Sequence, residues 1–181
     1  MASTLPTQFT TPAPATDAAA TAPAPAPAEE VPDAELLEQP LGYWTGVAGT
    51  AIVGHINAAL GREGIAQPHW WSLNRIHQAP RGLTRREVAD IIAEGRPQLD
   101  VSVVGPALEE LLARDWVGED DGGRLRLTAA GSAALDRLWS DVMPATLAQI
   151  RAGVSDAEYV TVVRVLRRVV RNLGGDDGFR L

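Results

Sequence analysis

Almost every apolar pattern in this chain repeats at helical spacing, and one short stretch does not. Val117 is followed by Glu119-Asp120-Asp121-Gly122-Gly123 and then by Leu125-Arg126-Leu127-Thr128, which alternates apolar and polar residues beyond a Gly-rich turn. Period-two alternation about such a turn predicts a two-stranded hairpin. It is the only β signal in the sequence, so the sheet must be small and the fold mainly α. The helices on either side of the hairpin then have to supply the core.

Pro68 predicts a helix from His69 to about Gln78, with Trp70, Leu73 and Ile76 or His77 as its buried stripe and Pro80-Arg81-Gly82 as its stop. Thr84 and Glu87 have the spacing of a capping box, and Val88, Ile91 and Ile92 give the helix that follows its apolar face until Gly95-Arg96-Pro97. Val101, Val104, Leu108, Leu111 and Leu112 continue at helical spacing with Gly105-Pro106 inside the run. Because proline cannot donate to the preceding turn, the helix is expected from near Pro106, with 101–105 a separate turn. Beyond the hairpin, Thr128 caps a long helix from Ala129 to about Arg151, with Leu135, Leu138, Val142, Leu147 and Ile150 inward and a kink at Pro144. Ser155 and Glu158 form a second capping box. The helix they open carries Tyr159, Val162 or Val163, Leu166, Val169 or Val170 and Leu173 at heptad-like spacing, with Arg164, Arg167, Arg168 and Arg171 between them. Such a stripe requires another helix to cover it. Gly174-Gly175 ends it, and residues 176–181 are expected to fray.

At the other end, residues 1–38 are rich in Ala, Pro and Thr with repeated Ala-Pro pairs, a composition that predicts a disordered tail. From Leu41 to Gly61 no residue is formally charged, but Thr45, Thr50, His55, Asn57 and five Gly, with no basic flank, argue against a membrane span. A buried helix is expected instead, with Gly42, Gly46, Gly49 and Gly54 allowing close approach of a second helix or a ligand. The opening Met-Ala-Ser-Thr-Leu-Pro shows neither a secretory signal nor an anchor, and the 181 residues contain no Cys, which excludes thiol chemistry and disulfides. A cytoplasmic location is expected. The net charge of −7 is concentrated in the tail: beyond residue 40 there are 16 Arg, no Lys and 17 acids.

Three helices, a two-stranded wing and long terminal helices make a winged helix-turn-helix lobe joined to a helical dimerisation region. The arrangement resembles the MarR family of bacterial transcriptional regulators. The resemblance rests on Leu83-Thr84-x-x-Glu87-x-Ala89, on Leu108-x-x-Leu111-x-x-Arg114-x-Trp116-Val117 leading into the wing, and on Arg124-Leu125-Arg126-Leu127-Thr128-x-x-Gly131 leaving it. It assigns residues 39–175 to one such domain, with the lobe at about 66–128 and the dimerisation helices at about 41–62 and 129–174. It implies a homodimer that lays a recognition helix in the major groove of a double-stranded operator, with the wing against the minor groove. It also implies a pocket for a small molecule between dimer helices and lobe.

The residues available for DNA are Thr84, Arg85, Arg86, Arg96, Gln98, Ser102, Arg124 and Arg126. Between residues 96 and 128 four Arg face seven acids, a net −3, although phosphate neutralisation normally carries the affinity of such proteins. An alternative follows from that deficit: the scaffold keeps dimer and pocket but has lost operator binding, serving as a small-molecule-binding protein or an enzyme. Tyr43, Trp44, His55, His69, Trp70, Trp71, Arg75 and His77 gather flat rings and cations in the pocket-forming segments, a set suited to an aromatic or phenolic ligand. No catalytic residue can be assigned from the sequence. No metal or other cofactor is expected, since His69 and His77 stand eight apart, roughly 80° around a helix.

Overall fold

Trp70, Leu73 and Ile76 recur on one face of helix α3 (Gln67–His77), and all three are buried. The computed structural model describes residues 31–96 and 100–178, and within them α3 touches four helices and the sheet. The chain divides at Pro40. In the first unit the described residues form one short helix, α1 (Asp33–Leu37), inside the stretch the sequence assigns to the tail. The second unit contains α2 (Leu41–Arg62), α3, β1 (Leu83–Thr84), α4 (Arg85–Gly95), a 3-10 turn (Val101–Val103), α5 (Val104–Ala113), β2 (Val117–Glu119), β3 (Arg124–Leu127), α6 (Ala129–Arg137), a π turn (Leu138–Val142), α7 (Met143–Ile150) and α8 (Asp156–Asn172). Its core joins Leu60, Leu73, Val88, Ile92, Val104, Leu108, Leu111, Val117, Leu125, Leu135 and Leu138. Each such side chain contributes about 1.5–3 kcal/mol by leaving water.

The hairpin forms as its pattern requires, with Val117 opposite Leu127 and Glu119 opposite Leu125. It is not the whole sheet. β1 adds to β3 with Leu83 opposite Leu125, giving the antiparallel order β1-β3-β2. Two residues cannot display alternation, so this strand has no signature of its own. The turn before it does: Gly82 has φ +72°, and a Cβ there would lie 2.9 Å from the Leu125 carbonyl oxygen.

Thr84, Thr128 and Ser155 cap α4, α6 and α8 through their side chains. α5 starts at Val104, two residues earlier than the sequence suggests, because Pro106 then falls in the first turn, where the missing N–H is not needed. The expected kink at Pro144 is a wide turn just before it, since proline cannot supply the amide that would continue the α ladder. Leu147, expected inward, is 39% exposed.

The larger differences concern the outer helices. α2 was expected to be buried, yet only Ala59 and Leu60 are, and Cβ atoms at Gly42, Gly46, Gly49 and Gly54 would meet nothing within 4 Å. Among the described residues no neighbour approaches this glycine surface. Tyr159, Val162, Val163, Val170 and Leu173 of α8 are exposed too, and α8 has no extensive packing partner among the described residues. Both helices hold apolar faces that the described residues do not cover.

The wing is closed by a backbone contact that only glycine allows. A Cβ at Gly131, in the first turn of α6, would lie 1.8 Å from the Trp116 carbonyl oxygen, which also accepts the Thr128 N–H at 3.1 Å. Gly131→Ala should therefore cost roughly 3 kcal/mol. Gly105→Ala, where nothing lies within 4 Å, should be neutral or stabilising by up to about 1 kcal/mol. Urea denaturation of the two variants measures the difference.

Candidate nucleic-acid interface and ligand cavity

β3 reads Arg-Leu-Arg-Leu, so its alternate side chains point to opposite faces. Leu125 enters the core. Arg124 and Arg126 turn back to the loop before β1: Arg124 Nη1 donates to the Gly82 carbonyl at 2.9 Å, and Arg126 donates to the carbonyls of Pro80 at 2.6 Å and Arg81 at 2.9 Å. Glu87 lies 3.6 Å from Arg124 and Asp120 lies 3.7 Å from Arg126. The two wing cations expected at DNA thus fasten the third strand.

Arg85 opens α4 and is shared by two carboxylates from different elements. Its Nη1 donates to Glu109 of α5 and its Nη2 to Glu119 of β2, the latter at 2.8 Å. The Glu119 hydrogen bond, with lesser help from the charges of Glu109 and Glu119, holds this guanidinium above its ordinary pKa although burial opposes it. These bonds bring the N-terminus of α4, the helix α5 and the wing onto one face. Thr84 beside it is occupied in the capping box, its hydroxyl 3.0 Å from Glu87 Oε2. Hydrogen bonds from the Thr84 backbone and side chain keep the Glu87 carboxyl below its usual range.

Arg86 is open, its side chain 90% exposed with Asp90 at 3.6 Å. Arg81 is also exposed. It was not singled out from the sequence, because a residue in a Pro-x-Gly stop carries no distinguishing pattern. Ser102 is exposed in the 3-10 turn, where its N–H donates to Asp100 Oδ1 at 3.0 Å. Gln98 lies outside the described residues. Arg96 stands apart from the other cations: its guanidinium lies 4.2 Å over the Trp71 ring, and burial, then the charge of Arg75, lowers its pKa.

Arg96 and Trp71 line a cavity of about 530 Å³ together with Val53, Asn57, Ala66, Gln67, Pro68 and Val103. Val53 and Asn57 are four apart on α2 and so share a face, a spacing that the sequence reading passed over. The other ring and imidazole residues do not converge there. Tyr43 and Trp44 are exposed and meet edge to face, with centroids 5.3 Å apart. Trp70 belongs to the core and packs on Trp139 at 4.7 Å. His77 is exposed beside Pro80 and Arg126, and Arg75, whose pKa burial lowers, bonds to Gln78.

His69 is structural in its contacts. Its Nδ1 accepts the Ala66 N–H at 3.1 Å, which leaves the ring proton on Nε2 to be donated to Glu110 at 3.0 Å. His55 faces a separate cavity of about 290 Å³ with Ala51, Ile52, Gln149 and Ile150, and its buried Nε2 has no hydrogen-bond partner among the described residues. No three His or acidic groups converge as metal ligands among the described residues, and no helix there is long and apolar enough to cross a membrane.

No protein-family model matches the chain. Solved structures share its fold. MarR from E. coli in its reduced form aligns with a TM-score of 0.60 at 18% identity, over 75% of this chain and 98% of that one. A MarR family protein of Mycobacterium tuberculosis, in complex with DNA, aligns with a TM-score of 0.58 at 24% identity over 73% and 98%. The mycobacterial protein in complex with salicylic acid aligns with a TM-score of 0.54 at 25% identity over 73% and 97%.

Because Arg126 ties two carbonyls of the 80–82 loop to β3, Arg126→Gln should lower the stability of the protein by about 1 kcal/mol. Arg86→Gln should leave it within about 0.5 kcal/mol of wild type. Urea midpoints at unchanged m-value test both.

Proposed function

This chain has the winged-helix fold of MarR family proteins, and from that premise we propose that it is a ligand-responsive transcriptional regulator that binds operator DNA as a homodimer. The observation that carries the reading is the shared face of α4, α5 and the wing, joined through Arg85, together with the uncovered apolar faces of α2 and α8. A second copy of the chain is the natural cover for α8: the helix is 17 residues long, near the length at which isolated helices are marginal in water. The DNA complex of the mycobacterial protein supports the same use of the fold here. Exposed Arg81 and Arg86 are the cations best placed to meet phosphates.

The effector site is the cavity of Trp71 and Arg96. A flat ring against Trp71 and a carboxylate on the half-buried Arg96 guanidinium suit an aromatic acid. Arg96 is then a ligand anchor instead of the DNA contact expected from the sequence. The salicylic acid complex of the mycobacterial protein supports this class of ligand. Val103, in the turn that leads into α5, lines the same cavity and links its occupancy to the recognition helix.

The net −3 of residues 96–128 favours a second reading, a small-molecule-binding protein that keeps dimer and cavity without operator binding. A mobility-shift titration against the DNA flanking the gene, with an unrelated duplex as competitor, separates the two. The regulator reading expects specific retention that salicylate weakens. Absence of any retention by a folded dimer would overturn it in favour of the second. Salicylate should quench Trp fluorescence in the wild type, and Arg96→Gln should weaken that binding at least about tenfold.

A further inference from the structure

Two of the seven acids between residues 96 and 128 meet on one cation. Arg85 lies at the start of α4, and each of its terminal nitrogens is taken by a carboxylate from a different element: Glu109 from the recognition helix and Glu119 from the wing. The three side chains are 40%, 67% and 33% exposed, so the cluster lies at the surface where DNA would approach. Carboxylate oxygens and phosphate oxygens present the same acceptors to a guanidinium fork. The protein therefore already fills, with its own groups, the coordination that a phosphate would use.

We propose that Arg85 is a phosphate-binding site for the DNA backbone that Glu109 and Glu119 occupy in the free protein as internal phosphate mimics. DNA engages it by displacing them. One guanidinium against two carboxylates leaves the cluster net negative, and an incoming phosphate meets that repulsion before it meets the cation. The two acids thus set the strength of the interface without contacting a base. They suppress binding to arbitrary duplex more than binding to an operator whose further contacts offset the displacement. The inference rests on the DNA-binding reading above.

The test is fluorescence anisotropy of the full chain with a labelled random-sequence duplex at low salt. Glu109→Gln and Glu119→Gln should each tighten binding about threefold, the range of an exposed ion pair, whereas Asp121→Asn at the wing tip, an equal change of charge away from Arg85, should do less. In an Arg85→Gln background the gain from Glu109→Gln should vanish. A gain that persists in that background, or that Asp121→Asn reproduces, would overturn the masked site and leave only the general field of the face. If the wild type retains its flanking DNA while neither Gln variant tightens, the masked site alone falls. If no form of the protein binds any duplex, the masked site and the DNA-binding reading fall together. Urea melts of each variant confirm that the compared proteins are folded.

Discussion

Strand β3 is the piece on which the lobe depends. It pairs with β1 on one side and β2 on the other, its Leu125 is fully buried in the core, and its two guanidiniums grip the loop that turns into β1. Four residues therefore set the wing, the start of α4 and the packing of α3 beneath them. The turn around β3 is closed by groups that allow little variation: Gly82 at positive φ against the Leu125 carbonyl, and Gly131 against the Trp116 carbonyl. Asp115 takes a positive φ of 55° beside them, and its carbonyl accepts the Thr128 hydroxyl at 2.5 Å.

Using arginine as a structural clasp has an electrostatic consequence. A guanidinium that donates to backbone carbonyls keeps its charge but has fewer donors left for a phosphate. With Arg124 and Arg126 on the loop, Arg85 between two carboxylates and Arg114 donating to the Gly64 carbonyl at 2.5 Å, the face proposed for DNA retains Arg81 and Arg86 as its most exposed cations. Counting charges along the sequence thus overstates the basic groups available to a polyanion. The cavity gains what the face gives up, because Arg96 leaves the outer surface to lie over Trp71.

The order of elements was legible because it is written locally. Thr84, Thr128 and Ser155 declare helix starts by side-chain chemistry, and the alternation after Gly123 declares the hairpin. The site was legible only in part. His69 and Trp71 are two residues apart, yet one hydrogen-bonds to Glu110, 41 positions away, and the other meets Arg96 just past the end of α4. Pairings of that kind follow from packing and leave no periodic trace. The expectation that α2 would be buried is met only at Ala59 and Leu60, because an uncharged surface does not say what covers it and no described residue approaches its glycines. β1 escaped notice because two residues are too few to carry a pattern.

The central claim is that this fold spends most of its surface arginines on its own architecture and meets DNA with few of them. The salt dependence of affinity for a retained duplex counts those cations directly, because each neutralised phosphate adds about −0.9 to the slope of log K against log salt. With two open arginines per subunit in a dimer, joined by Arg85 where DNA displaces its two carboxylates, the account predicts a slope of about −4 to −5. A slope near −9, which would require the clasp residues Arg124 and Arg126 to bind phosphates as well, or a slope near zero, would contradict it.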